Sequence, residues 1–278
     1  VVSCRGILVF PLGSDTNGLS RDRQGGGMPR PSTIVAVTSL AREALVARGS
    51  GVSVVCSQGE RLGAALHAAI HSDVSGIISF GISGALHPEL VAGDWIVASA
   101  VRYRDRVIET DSKWRQELSK RLPGAVHADI IGSDTMVPTP SEKSHLHRTT
   151  GAFAVDMESH IAAEIAAAHQ IPFAACRVII DAAHRALPSA AGAALDSNGS
   201  VDVFAVMRSV LQKPGQLPDL FRAAVDACIA ERALRKGRKQ LGPGFGSPFV
   251  DGRPAERDFA GQSDVSNDFL RPPICETT

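Results

Sequence analysis

Between residues 32 and 236, short β-branched runs alternate with stretches of helical period, and this alternation narrows the fold more than any other feature of the chain. Residues 32–38 (STIVAVT), 51–56 (GVSVVC), 76–80 (GIISF), 94–101 (DWIVASAV), 126–132 and 173–180 (FAACRVII) are short, apolar and rich in valine and isoleucine, as strands are. Helical segments are expected near 40–48, 60–71, 112–121, 141–149, 157–169, 201–212 and 217–236. In the last, Leu217, Leu220, Phe221, Ala224, Val225, Cys228 and Ile229 follow i, i+3, i+4 spacing, which predicts one buried face. Apolar strands separated by helices indicate an α/β layer fold with a covered central sheet.

Both ends break this rhythm. Residues 1–27 finish in Arg-Asp-Arg-Gln-Gly-Gly-Gly without a periodic apolar pattern, so they read as a disordered leader or as sequence upstream of a true start at Met28. From Gly237 the chain passes through Gly-Pro-Gly-Phe-Gly-Ser-Pro, and 237–278 is expected to be a disordered Gly/Pro-rich tail. The expected domain is therefore 28–236.

Charge and cysteine content exclude several functions. Lys plus Arg equals Asp plus Glu at 29 each, so no global field draws the chain to nucleic acid, and affinity must come from local pockets. Five cysteines lie far apart without Cys-x-x-Cys spacing; no metal site is expected, and reduced thiols suit a cytoplasmic protein. No apolar run reaches the ~18 residues of a membrane span.

Three segments carry the chemistry. Gly81-Ile82-Ser83-Gly84 follows the strand GIISF, and two glycines there would let the backbone amides of Ser83 and Gly84 approach a ligand in a strand-to-helix loop. It is neither a dinucleotide fingerprint nor a P-loop. Val155-Asp156-Met157-Glu158-Ser159 places acids where a helix begins, a position the helix dipole favours anyway. Arg177-Val178-Ile179-Ile180-Asp181 ends an apolar strand on a carboxylate, which is costly unless partnered or neutral and so invites a proton-transfer role.

FGISGALHPELVAGDWIVAS, VDMES and RVIID, in this order and spacing, resemble the purine nucleoside phosphorylase and nucleosidase superfamily over about residues 32–236. Asp181-Ala182-Ala183-His184-Arg185-Ala186-Leu187-Pro188, with Leu40-Ala41-Arg42-Glu43-Ala44, looks most like its hopanoid-associated group, linked to removing adenine from adenosylhopane. The resemblance implies a three-layer αβα sandwich with a mixed central sheet. It also implies a homodimer or larger assembly and no metal or organic cofactor, phosphate being an alternative co-substrate.

Breaking a ribose–purine bond gives an oxocarbenium-like sugar while electrons flow onto the base, so the base needs a proton and the sugar needs its hydroxyls held. By resemblance, Asp181 is the acid that protonates the purine near N7. Ionised Glu158 accepts the 2′- and 3′-hydroxyl protons, Met157 presses on the sugar face, and Met136 and Val137 cushion the base. Glu43 would activate water; its neighbour Arg42 would instead bind a phosphate nucleophile with the Ser83 and Gly84 amides, and the sequence leaves the two open. His184 would orient Asp181 or touch the 5′ substituent.

Three hydrophobic departures, Ile180 directly before the acid, Ile82, and Met136 where nucleosidases often carry an aromatic, agree with a greasy substrate. The expected activity is therefore adenine release from a 5′-modified adenosine, adenosylhopane first among candidates. A methylthioadenosine or adenosylhomocysteine nucleosidase is the alternative within the class, and a non-catalytic nucleoside-binding module the alternative outside it. An amphiphilic nucleoside would bring the enzyme to the inner membrane surface, where Arg232, Arg235, Lys236, Arg238 and Lys239 form a basic cluster for peripheral contact.

Overall fold

The computed structural model describes residues 8–9, 32–187 and 217–249. The elements run β1 (Leu8–Val9), β2 (Thr33–Thr38), α1 (Ala41–Ala47), β3 (Val52–Cys56), α2 (Glu60–Ala69), β4 (Val74–Ala85), β5 (Trp95–Tyr103), β6 (Arg106–Glu109) and α3 (Ser112–Arg121). They continue with β7 (Val126–Gly132), α4 (Pro140–Thr150), β8 (Ala154–Asp156), α5 (Ser159–Ala168), β9 (Phe173–Asp181), α6 (Leu217–Leu241) and a 3₁₀ turn, η1 (Pro243–Gly246). The helix expected at 201–212 lies outside the described residues.

The sheet is mixed, as expected. Its order is β1-β3-β2-β4-β8-β7-β5-β6, with β9 pairing both β4 and β5. Strands β4, β8, β7, β5 and β9 therefore close into a ring. Pairing is parallel along β3/β2/β4/β9 and antiparallel for β4 with β8 and β5 with β9.

Alternate residues of each strand feed two cores, which is what covers the sheet on both faces. Val35, Val37 and Ile77 pack with Leu62, Ala65 and Leu66 of α2 and Ala162, Ala163 and Ala166 of α5. Ile34, Ala36, Ile78 and Phe80 point the other way, to Ala44 and Ala47 of α1, Trp114 and Leu118 of α3, and Ala230 and Leu234 of α6. This is the three-layer αβα arrangement.

Several boundaries differ from the sequence reading. Strand β4 does not stop at Phe80 but runs to Ala85, so the Gly-rich segment is strand rather than loop. Gly84 lies between Val155 of β8 and Asp181 of β9, and only the late-sequence strands β8 and β9 make that extension stable. The short strands β6 and β8 were not foreseen. Leu8–Val9 pair with Val55 and Cys56, within what was expected to be a leader.

The end of the domain also moves. α6 continues five residues past the expected boundary at 236, and η1 follows. Leu241 and Phe245 are fully buried, Phe245 contacts the Phe80 ring edge-on at 4.9 Å, and Trp114 Nε1 donates to the Phe245 carbonyl at 3.1 Å. Gly-Pro-Gly composition here marks a tight turn onto a core, not a structureless tail. The expected buried face of α6 is overturned as well: Phe221, Val225 and Ile229 are exposed, because the helix docks through Ala230, Leu234, Gly237 and Leu241 instead.

Candidate active site

The carboxyl ends of β2, β3, β4, β7, β8 and β9 and the residues just past them meet around a cavity of about 360 Å³. In α/β folds, open or closed, ligands bind outside the carboxyl ends of the strands. One wall carries Ile82, Ser83 and Gly84 from β4; another carries Met157 and Glu158, just beyond β8. Met136, Val137, Ile180 and Asp181 complete the apolar and acidic lining. The Tyr103 hydroxyl donates to Asp134 at 2.7 Å, next to the segment that presents Met136 and Val137.

Glu158 sits at the N-cap of α5, one residue before the helix rather than in its first turn. The helix-start hydrogen bonds are made by Asp156, whose Oδ1 accepts from the Glu158 and Ser159 amides at 3.3 and 3.0 Å. Glu158 is thereby left to face the cavity. Behind it lies Arg177, completely buried, with Nε 2.8 Å from Asp156 Oδ2 and Nη2 3.5 Å from Glu158 Oε2 and 2.6 Å from Ser79 Oγ. Burial alone would lower the Arg177 pKa, but Asp156, Glu158 and Glu43 outweigh it and hold the guanidinium charged.

Three carboxyl groups around one guanidinium leave an excess of negative charge in a dry place. Burial, countered by Arg177 and reinforced by Asp156 and Glu43, pushes Glu158 up to about 8. The direction favours the protonated form, against the ionised group that the sequence reading expected.

Glu43 is 2% exposed and stands just behind the cavity wall. As the N3 residue of α1 it folds back on the helix start, where Oε2 accepts from the Ser39 and Leu40 amides, both at 3.0 Å. Oε1 accepts from the Ile82 amide at 2.8 Å. A Cβ on Gly81, whose φ is +152°, would come within 2.5 Å of Glu43 Oε1 and 2.7 Å of Arg177 Nη1, so this close approach of strand, acid and guanidinium needs glycine.

Asp181 ends β9 beside Gly84: a Cβ there would lie 3.1 Å from its Oδ1. The carboxylate is not isolated. Lys143 of α4, 1% exposed, donates to Asp181 Oδ2 and to the carbonyls of Ala182 and Arg185 at 3.2 and 3.0 Å. Burial raises the Asp181 pKa, Lys143 opposes the rise, and Asp226 adds to it. The net direction is upward. Ser83 Oγ is buried on the cavity wall with no hydrogen-bond partner among the described residues, a donor suited to a ligand hydroxyl or water.

Asp181, Glu158, Met157, Ser83, Gly84, Met136 and Val137 thus share one cavity. Three candidates do not line it: Glu43 stands behind its wall, and Arg42 and His184 lie elsewhere. Arg42 points away from the cavity, 73% exposed, and pairs with Glu231 of α6 at 3.1 Å. It does not form a phosphate site with Ser83 and Gly84, whose amides belong to a strand with ladder partners on both sides. His184 is exposed on an adjoining cavity of about 580 Å³, with Arg185 and Asp226, and Asp181 stands between the two spaces. The basic cluster of α6 is also smaller than expected: Arg238 turns inward to the Ala47 and Gly242 carbonyls and stacks over Phe245 at 4.2 Å.

A mixed sheet ringed by helices, with acids gathered at its carboxyl edge, is the architecture of nucleoside phosphorylases and nucleosidases. The chain belongs to the Phosphorylase superfamily, whose family pattern matches residues 45–209. It is similar in fold to *Helicobacter pylori* 5′-methylthioadenosine/S-adenosylhomocysteine nucleosidase (15% identity, 76% of this chain and 96% of that one, TM-score 0.56). It is similar also to *Helicobacter pylori* futalosine hydrolase (15% identity, 76% and 95% covered, TM-score 0.55). A third likeness is to S-adenosylhomocysteine nucleosidase from *Streptococcus pyogenes* (17% identity, 76% and 98% covered, TM-score 0.50). No curated protein sequence matches the chain.

Proposed function

We propose that the protein cleaves the N-glycosidic bond of a 5′-modified adenosine by hydrolysis, releasing adenine, with adenosylhopane as the favoured substrate. The observation that carries this reading is the meeting of Asp181 and Glu158 on one largely apolar cavity with Met136, Val137 and Met157. Asp181, with its pKa raised by burial, protonates the departing purine near N7. Glu158 takes the ribose hydroxyls through its carboxyl oxygens, whose partial negative charge opposes the cationic charge growing on the ring. Glu43 draws a proton from water through Oε1, which among the described residues accepts only from the Ile82 amide and keeps a lone pair.

Two facts favour water over phosphate. Arg42 is turned to Glu231, and among the described residues lining the cavity none is Lys, Arg or His. The apolar lining by Leu40, Ile82, Ile180 and Leu187 suits a hydrophobic 5′ group. The similarity to methylthioadenosine/adenosylhomocysteine nucleosidases favours a second reading, a short 5′-thio substituent in the same cavity. Peripheral membrane contact through Arg232, Lys236 and Lys239, exposed on α6, remains part of the adenosylhopane proposal, as does a homo-oligomer. No helix among the described residues is long and apolar enough to cross a membrane.

The test is incubation with adenosylhopane, methylthioadenosine and inosine, each with and without phosphate, identifying the base and the sugar product. Phosphate-independent adenine release, fastest from adenosylhopane, is expected. A preference for methylthioadenosine would establish the second reading, and a sugar phosphate product would overturn hydrolysis. Tight nucleoside binding with no base released would indicate a non-catalytic module.

A further inference from the structure

We propose that Lys143 is a positioning residue for proton transfer: its buried ammonium stabilises the negative charge that forms on Asp181 as the Asp181 proton passes to the leaving purine. This role rests on the N-glycosidic reading above.

A lysine on a helix ordinarily carries its charge to solvent. Lys143 does the opposite. Thr139 caps α4 and Pro140 opens it, and this fixed start sends the Lys143 side chain inward to the end of β9, where it is 1% exposed. Its three N–H donors meet three acceptors, Asp181 Oδ2 and the Ala182 and Arg185 carbonyls, so the charged form is fully satisfied. A buried ammonium of this kind is held by its three acceptors, and the carboxyl group among them is the one that ends at the cavity. Among the described residues, the other charged or titratable groups bordering the two cavities at this corner are Arg185, which pairs with Asp226 of α6, Asp219 and Arg222 of the same helix, the exposed His184, and Asp156 and Glu158.

The balance of the step is simple. The C1′–N9 bond breaks with its electron pair moving to the purine; the Asp181 O–H bond breaks and an N7–H bond forms. Lys143 keeps its protons throughout, and Asp181 regains one from water after adenine departs. Charge therefore appears on Asp181 only as the reaction proceeds. A fixed cation held against the carboxyl group in a dry site favours the transition state over the ground state.

A purely structural lysine, clamping α4 to the turn at 182–185, would act on stability alone. The experiment separates the two with Lys143→Met, Asp181→Asn and the double variant, measuring kcat, KM, melting temperature and binding of tubercidin, an adenosine analogue with carbon in place of N7. Lys143→Met is expected to lower kcat by on the order of 10²-fold, with little change in KM or tubercidin binding. Its kcat should also lose its basic limb at a higher pH, by about 1 unit or more, because the carboxyl group has lost its nearby cation. In the Asp181→Asn background the same substitution should change kcat by less than about 3-fold, since the two groups act as one.

A Lys143→Met protein with more than half of wild-type kcat, an unmoved basic limb, or an equal loss in the Asp181→Asn background would each overturn the proposal. Where Lys143→Met does not fold, Lys143→Gln keeps donors for the two carbonyls without the charge and reads the same quantities. Failure of the underlying function looks different: the wild-type protein itself would release no base from any nucleoside, and both readings would fall together.

Discussion

Asp181 and Glu158 reach one cavity with different electrostatic surroundings, and single substitutions separate their roles. Asp181→Asn removes the donated proton with little change of shape, so turnover should fall by on the order of 10² to 10⁴ while tubercidin still binds. More than half of wild-type turnover would remove Asp181 from the mechanism. Glu158→Gln should penalise ribosides much more than 2′-deoxyribosides; equal losses on the two would mean that Glu158 does not hold the hydroxyls.

Glu158 also links stability to pH. Its folded pKa of about 8 lies above the ordinary carboxylate value of 4.5, so the native state holds a proton that the unfolded chain gives up first. The stability this represents is complete below about pH 4.5 and is lost as pH rises through about 8. Glu158→Gln should therefore raise the melting temperature relative to wild type at pH 9 more than at pH 5. A difference independent of pH would contradict the raised pKa.

At the residue scale, legibility in the sequence followed locality. Asp181 and Glu158 could be read because each ends or precedes an element whose apolar pattern is plain. Arg42 was misplaced because adjacent helix residues point about 100° apart; once Glu43 folds back onto the helix start, Arg42 faces Glu231. Lys143 gave no signal, standing 38 residues from Asp181 in a polar stretch that reads as a solvated helix. Arg177 did give one: a lone charge inside FAACRVII needs buried acids for company, and VDMES supplies them.

At the element scale, the last helix shows how close packing overrides hydrophobic period. Gly237 seats α6 on Trp95: a Cβ there would fall 2.2 Å from the indole ring. Arg238 beside it satisfies carbonyls at the end of α1 and after α6. This docking turns Phe221, Val225 and Ile229 outward despite their regular spacing. Gly237→Ala should cost about 1–3 kcal/mol by overpacking, even though alanine is the better helix former. Chemical denaturation checks it, and an unchanged or higher midpoint would show that the seat is not tight.

At the scale of the whole molecule, residues 239–249 belong to the domain. Comparing 1–238 with 1–249 isolates them, and loss of the buried Leu241 and Phe245 should lower the melting temperature of the shorter chain by more than about 5 °C. Equal melting temperatures would mean that this segment only decorates the core.

The sequence by itself determined the layered α/β class, six of the sheet's strands and the acids near their ends, because burial period and strand-end position are local properties of a few residues. It also carried the family resemblance. Tertiary structure decided the rest: that β4 extends through its glycines, that β9 closes the strand ring, that Arg177 lies under three acids, and that Asp181 is paired with Lys143. These depend on contacts between distant segments. A charge's protonation and reach follow from which groups the fold brings within a few ångströms of it, and no local pattern states that.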